Sequence, residues 1–138
     1  MKFKILILTV FVFFVACDNE VKAPRLESFL ESENLFVSGH KILIFSATDC
    51  SNCIINKMKN HFASYDYIAA IIVNNPYMAN DAVNEELLDL INLNSNSLIR
   101  SNNIDILDEL AEITENPKSP YLIQIDNSSM KIKALFED

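Results

Sequence analysis

Two cysteines, Cys50 and Cys53, enclose Ser51-Asn52 within the stretch KILIFSATDCSNCIINKMKNHF. A pair at this spacing can exchange electrons with other thiols, supply half of a zinc site, or act as a plain structural disulfide. The flanking residues narrow the choice. Ile42–Phe45 is an apolar run short enough for a buried strand, and Ile54, Ile55, Met58 and Phe62 recur at helical spacing. Cys50 therefore stands at the first turn of a helix. Unpaired backbone N–H groups and the positive end of the macrodipole favour a thiolate there, and a thiol of lowered pKa is a nucleophile. The two intervening residues let the second thiol reach back and close a disulfide. A four-ligand metal site would need two more donors, and the histidines are His40 and His61. His40 reads as a loop residue at the mouth of the strand, and His61 as a solvated position on the helix. Neither a metal nor a cofactor is expected. Gly39 is the single glycine, so glycine-rich phosphate loops are absent.

The elements that must position the pair follow from the pattern of the chain. Leu26, Phe29, Leu30 and Phe36 mark an amphipathic helix that Ser38-Gly39 ends. Ile42–Ala47 is the central strand, and the helix after it runs from Cys50 to Ala63. Tyr67–Val73 (YIAAIIV) is continuously apolar, as an interior strand covered on both faces would be. Asn74-Asn75-Pro76 turns the chain. Asp81 caps a helix with Val83, Leu87, Leu90 and Ile91 on one face. Asn92–Asn103, rich in Asn and Ser, reads as a loop. A further helix, capped by Asn102 or Asn103, ends at Thr114 with Leu107, Leu110 and Ala111 inward. Tyr121–Ile125 and Met130–Leu135 form a hairpin around Asn127-Ser128-Ser129. With so little glycine, asparagine is expected to take the left-handed turn positions.

The amino terminus reads as an export signal. Lys2 and Lys4 precede Ile5–Val15, which is apolar but for Thr9. That run is shorter than the roughly 20 residues that span a bilayer, and it has the length of a signal-peptide core. It ends Phe14-Val15-Ala16-Cys17, which resembles a bacterial lipobox, in which the cysteine is lipidated and becomes the mature end. The resulting division is a signal peptide over 1–16, a tether over 17–25 and one domain over 26–138. Lipidation of Cys17 also accounts for the odd count of three cysteines, leaving Cys50 and Cys53 to each other. The expected location is the bacterial cell envelope, membrane-anchored and facing the periplasm or the exterior. The formal charge of −8 becomes more negative once Lys2 and Lys4 are removed. Nucleic acid and anionic lipid surfaces are therefore poor partners.

A strand, a turn bearing Cys50-Ser51-Asn52-Cys53 and a helix, followed later by Ser119-Pro120-Tyr121-Leu122-Ile123-Gln124-Ile125, together resemble the thioredoxin family over roughly residues 40–136. The resemblance implies an α/β fold with a mixed central sheet and flanking helices. It would be enlarged between the second strand and the strand that a cis-proline opens, and would lack the closing C-terminal helix. It also implies a thiol–disulfide oxidoreductase acting on protein thiols or disulfides together with a redox partner. Cys50 would be the attacking thiol and Cys53 the resolving thiol, with Ser119 and Pro120 facing them and binding substrate through a cis peptide bond. Three features depart from the family. Asp49 replaces the tryptophan before the first cysteine, Ser51-Asn52 replaces Gly-Pro, and Ile44 stands where the family buries an acid. Asp49 opposes the helix dipole at Cys50, whereas Lys57, one turn beyond Cys53, would favour a thiolate there. The alternative function is a binding or structural lipoprotein on the same fold, with an inert Cys50–Cys53 disulfide.

Overall fold

The computed structural model describes residues 21–62, 67–77 and 83–135. Their elements are, in chain order, α1 (Pro24–Ser32), β1 (Lys41–Ser46), α2 (Ser51–Phe62), β2 (Tyr67–Val73), α3 (Glu85–Asn94), β3 (Ser95–Ser101), α4 (Asp105–Thr114), β4 (Tyr121–Asp126) and β5 (Ser129–Ala134). The strands form a mixed five-stranded sheet in the order β3-β2-β1-β4-β5. β1 and β3 both run parallel to β2, with Ile44 opposite Ile71 and Ile71 opposite Ile99. β4 returns antiparallel to β1, placing Tyr121 opposite Ile44, and β5 pairs antiparallel with β4.

Each face of the sheet carries its own core. Ile42, Ile44, Ala69, Ile71, Val73, Tyr121, Ile123 and Ile125 pack beneath α1 and α4, against Leu26, Leu30, Ile106 and Leu110. Leu43, Phe45, Ala70 and Ile72 pack beneath α2 and α3, against Ile54, Ile55, Met58, Leu87 and Ile91. The alternation follows from the two-residue repeat of a strand. β1 and β2 lie inside the sheet with both faces covered, which is why their sequences are apolar throughout. Leu26, Leu30, Ile106 and Leu110 are fully buried, and each such burial stabilises by about 1.5–3 kcal/mol.

The segment read as a loop over Asn92–Asn103 is instead the end of α3 followed by the edge strand β3. Its sequence, SNSLIRS, has little strand character, and most of its side chains are exposed or half-buried. The free edge of β2 decides its conformation, because that edge supplies backbone partners along its length, from Tyr67 opposite Ser95 to Val73 opposite Ser101. The material between β2 and β4 therefore contributes one strand to the sheet, β3, and two helices that flank it, α3 and α4.

The first helix ends at Ser32, earlier than the expected stop at Ser38-Gly39. Asn34 takes the left-handed position with φ 58°. The Leu35 N–H donates to the Leu30 carbonyl at 2.8 Å and the Asn34 N–H to the Glu31 carbonyl at 3.0 Å, the paired bonds of a Schellman stop. Asn127 likewise adopts φ 56° in the β4–β5 turn, so asparagine does take positions that glycine usually fills. The third helix is capped by Asn84, whose side chain accepts from the Leu87 N–H. Asp81, the expected cap, lies outside the described residues, as do Cys17 and the signal segment.

The hairpin is polar where neither α2 nor α3 reaches it. Gln124, Asp126, Lys131 and Lys133 are exposed on that side, while Tyr121, Ile123, Ile125 and Met130 are buried on the other. Gln124 stands opposite Lys131, and Lys131 pairs with Asp126 at 3.7 Å. The alternation in YLIQID and SMKIKA thus makes this a solvent-facing surface.

Candidate functional site

The cysteine pair sits at the carboxyl end of β1, where the chain turns into α2. The turn is shaped by Ser46 and Thr48. The Thr48 N–H donates to Ser46 Oγ at 3.2 Å, the two hydroxyls lie 2.8 Å apart, and the Asp49 N–H reaches the Ser46 carbonyl at 3.2 Å. Cys50 then occupies the cap position of α2, its carbonyl accepting from the Ile54 N–H at 3.0 Å. Its Sγ lies 3.3 Å from the Cys53 nitrogen, whose N–H points at it. This is one of the N–H groups that a helix start leaves unpaired. Cys50 and Cys53 are joined, with their Cα atoms 5.2 Å apart, inside the usual range for bridged cysteines. Both are exposed.

Ser119 ties this turn to the entrance of β4. It is buried, accepts from the Ser46 N–H at 2.9 Å, and donates its hydroxyl to the Asp49 carboxylate. One side chain thus bridges the end of β1, the residue before Cys50, and the start of the opposing strand. The Ser119–Pro120 bond is cis, as the resemblance implies. Tyr121, next in the chain, is fully buried and donates to the Asn116 carbonyl at 2.7 Å. Burial, reinforced by the Asp49 carboxylate, pushes its phenol up to about 12. Asp49 is accordingly part of the site and not merely a departure beside it.

A second link comes from α3. The Asn84 backbone N–H donates to Ser51 Oγ at 3.2 Å, and its side-chain amide donates to Asn52 Oδ1 at 3.1 Å. Its own Oδ1 accepts from the Leu87 N–H at 2.9 Å. Both residues between the cysteines are therefore held from the neighbouring helix. Asn84 went unrecognised in the sequence, although the acids Glu85 and Glu86 directly after it mark a helix start.

Other candidate residues lie elsewhere. His40 stands at the opposite end of β1, its Nδ1 donating to the Leu35 carbonyl at 2.9 Å. His61 falls within α2, two turns past Cys53; its side chain and that of Lys57 lie outside the described residues. Among the described residues no group of three or more His, Cys, Asp or Glu could hold a metal ion. Nor, among them, is any helix long and apolar enough to cross a membrane. Ile44 is fully buried within the apolar core under α1 and α4.

In comparisons with known proteins, the chain matches no family model, no curated protein and no solved structure, so the geometry around Cys50 and Cys53 carries the functional reading by itself.

Proposed function

We propose that this is a thioredoxin-like domain that acts as an exported thiol–disulfide oxidoreductase. The observation that carries the reading is the placement of Cys50 at the exposed cap of α2, with the Cys53 N–H aimed at its sulfur at 3.3 Å. A charge on that sulfur meets a backbone donor and the positive end of a helix dipole. Further support comes from the cis Ser119–Pro120 bond, tied to the residue before Cys50 through Ser119.

In the reducing direction, the Cys50 thiolate attacks one sulfur of a substrate disulfide. The substrate S–S bond breaks, a Cys50–substrate disulfide forms, and one substrate thiolate leaves. The Cys53 thiolate then attacks Cys50 Sγ, closing Cys50–Cys53 and releasing the second substrate thiolate. Two electrons pass to the substrate, whose thiolates take their protons from the two cysteines or from water. Oxidation runs through the same steps in reverse. Ser119 and Pro120 would hold an extended protein substrate over the pair, and a separate redox partner would return the pair to its starting state. The domain would work outside the cytoplasm, tethered to a bacterial membrane through lipidated Cys17.

A second reading, an inert disulfide in a binding or structural lipoprotein, draws on the apolar Ile44 and on the Asp49 carboxylate beside Cys50. Trapping in cells separates the two. Cys53→Ser should accumulate as a mixed disulfide with its partner, whereas Cys50→Ser should trap nothing. Equal trapping by both variants, or by neither on diagonal gels, overturns the oxidoreductase.

A further inference from the structure

The two residues between the cysteines are anchored by a single residue from another helix. Asn84 reaches Ser51 with its backbone N–H and Asn52 with its side-chain amide, while its remaining amide oxygen is spent on the cap of α3. Closing a disulfide brings two sulfurs from van der Waals separation to bonding distance. Ser51 and Asn52, the first two residues of α2, are the backbone that joins the two cysteines. These contacts occur with the pair closed. A contact that is better made in one of two states shifts the equilibrium toward that state by its differential free energy. From these contacts we propose that Asn84 is a positioning residue that biases the pair toward the disulfide, so that α3 sets the redox equilibrium of a site built on α2.

The inference rests on the oxidoreductase reading for its biological meaning, but its test does not. The pair is equilibrated with glutathione buffers, in which two glutathione thiols become one glutathione disulfide as Cys50–Cys53 opens to two thiols. The fraction reduced is read by thiol alkylation. Asn84→Ser keeps a capping oxygen and the backbone N–H but loses the amide donor. Asn52→Ala removes the same bond from its exposed end, where folding is least at risk. Each variant should shift the equilibrium toward the dithiol by about three- to tenfold, or about 15–30 mV. If the two changes act through one bond, the double variant should shift no further than either alone. Equilibria unchanged from wild type, or fully additive shifts, overturn the inference. Normal trapping by Cys53→Ser with an unshifted equilibrium would remove only the role of Asn84. Shifted equilibria without trapping would remove only the oxidoreductase.

Discussion

Tyr121 shows how one position can serve both the core and the site. Its ring is buried beneath α1 and α4, its hydroxyl is held by the Asn116 carbonyl, and its phenol is raised to about 12 by burial and by Asp49. An unfolded tyrosine ionises near 10. Between those values the unfolded chain loses the proton while the folded chain keeps it, so stability falls as pH rises from about 10 to about 12. Below pH 10 the group contributes no slope. Tyr121→Phe forfeits the hydrogen bond, at a cost of about 1 kcal/mol near neutrality, but cannot ionise. In urea unfolding, the stability advantage of wild type over Tyr121→Phe should therefore shrink across that interval. A constant difference would show that the phenol is not shifted. The carboxylate that adds to the effect of burial, Asp49, was legible in the sequence as a charge opposing the thiolate. Its bond to Ser119 was not, because the two residues are 70 positions apart and only the antiparallel return of β4 beside β1 brings them together.

At the scale of elements, α1 depends on a residue far along the chain. Its cap position, Ala23, offers no side-chain acceptor. The Glu109 carboxylate of α4 replaces one, accepting from the Arg25 N–H at 3.2 Å and the Leu26 N–H at 2.8 Å. Glu109 is buried, on the helix face that also carries Ile106 and Leu110. Removing it leaves two helix-terminal N–H groups without this partner beside the core. Glu109→Ala is expected to cost about 2–4 kcal/mol in urea unfolding, and Glu109→Gln less, because one amide oxygen can still accept. Equal losses would overturn this account, because glutamine keeps both the volume of glutamate and one accepting oxygen, whereas a glutamine variant as stable as wild type would argue for simple packing. The helical period around Leu107 and Leu110 announced α4, but an acid on its inward side has no purpose until α1 lies across it. The strand β3 is the counterpart in the sheet, since its sequence suits a loop and the open edge of β2 makes it a strand.

Across the whole molecule, the pair, the cis Ser119–Pro120 bond and the cap of α3 gather at one end of the sheet, where β1 and β2 finish and β4 starts. In a sheet containing parallel strands this end is the usual place for chemistry, because the loops leaving the strands converge there. The net charge of −8 and the apolar run ending at Cys17 are the sequence grounds for the export and tethering proposed above. Cys17→Ser is expected to release the protein from the membrane fraction or leave it unprocessed. Wild-type protein recovered fully soluble and without acyl groups would refute the anchor.

The local pattern of residues settled the strands and helices whose apolar period is strong, among them β1, α2, β2, α4 and the β4–β5 hairpin. It also placed Cys50 at a helix start. These are local facts, decided by side-chain periodicity and backbone chemistry within a few residues. Tertiary structure decided what lies opposite what. It made a strand of Ser95–Ser101, brought Ser119 to Asp49, set Asn84 against Ser51 and Asn52, and gave α1 its carboxylate from Glu109. Each of these is a polar contact between distant segments, and such a contact forms only where burial of apolar faces has already fixed the two backbones side by side. Hydrophobic periodicity reports which face turns inward, but it carries no information about which polar group will wait there.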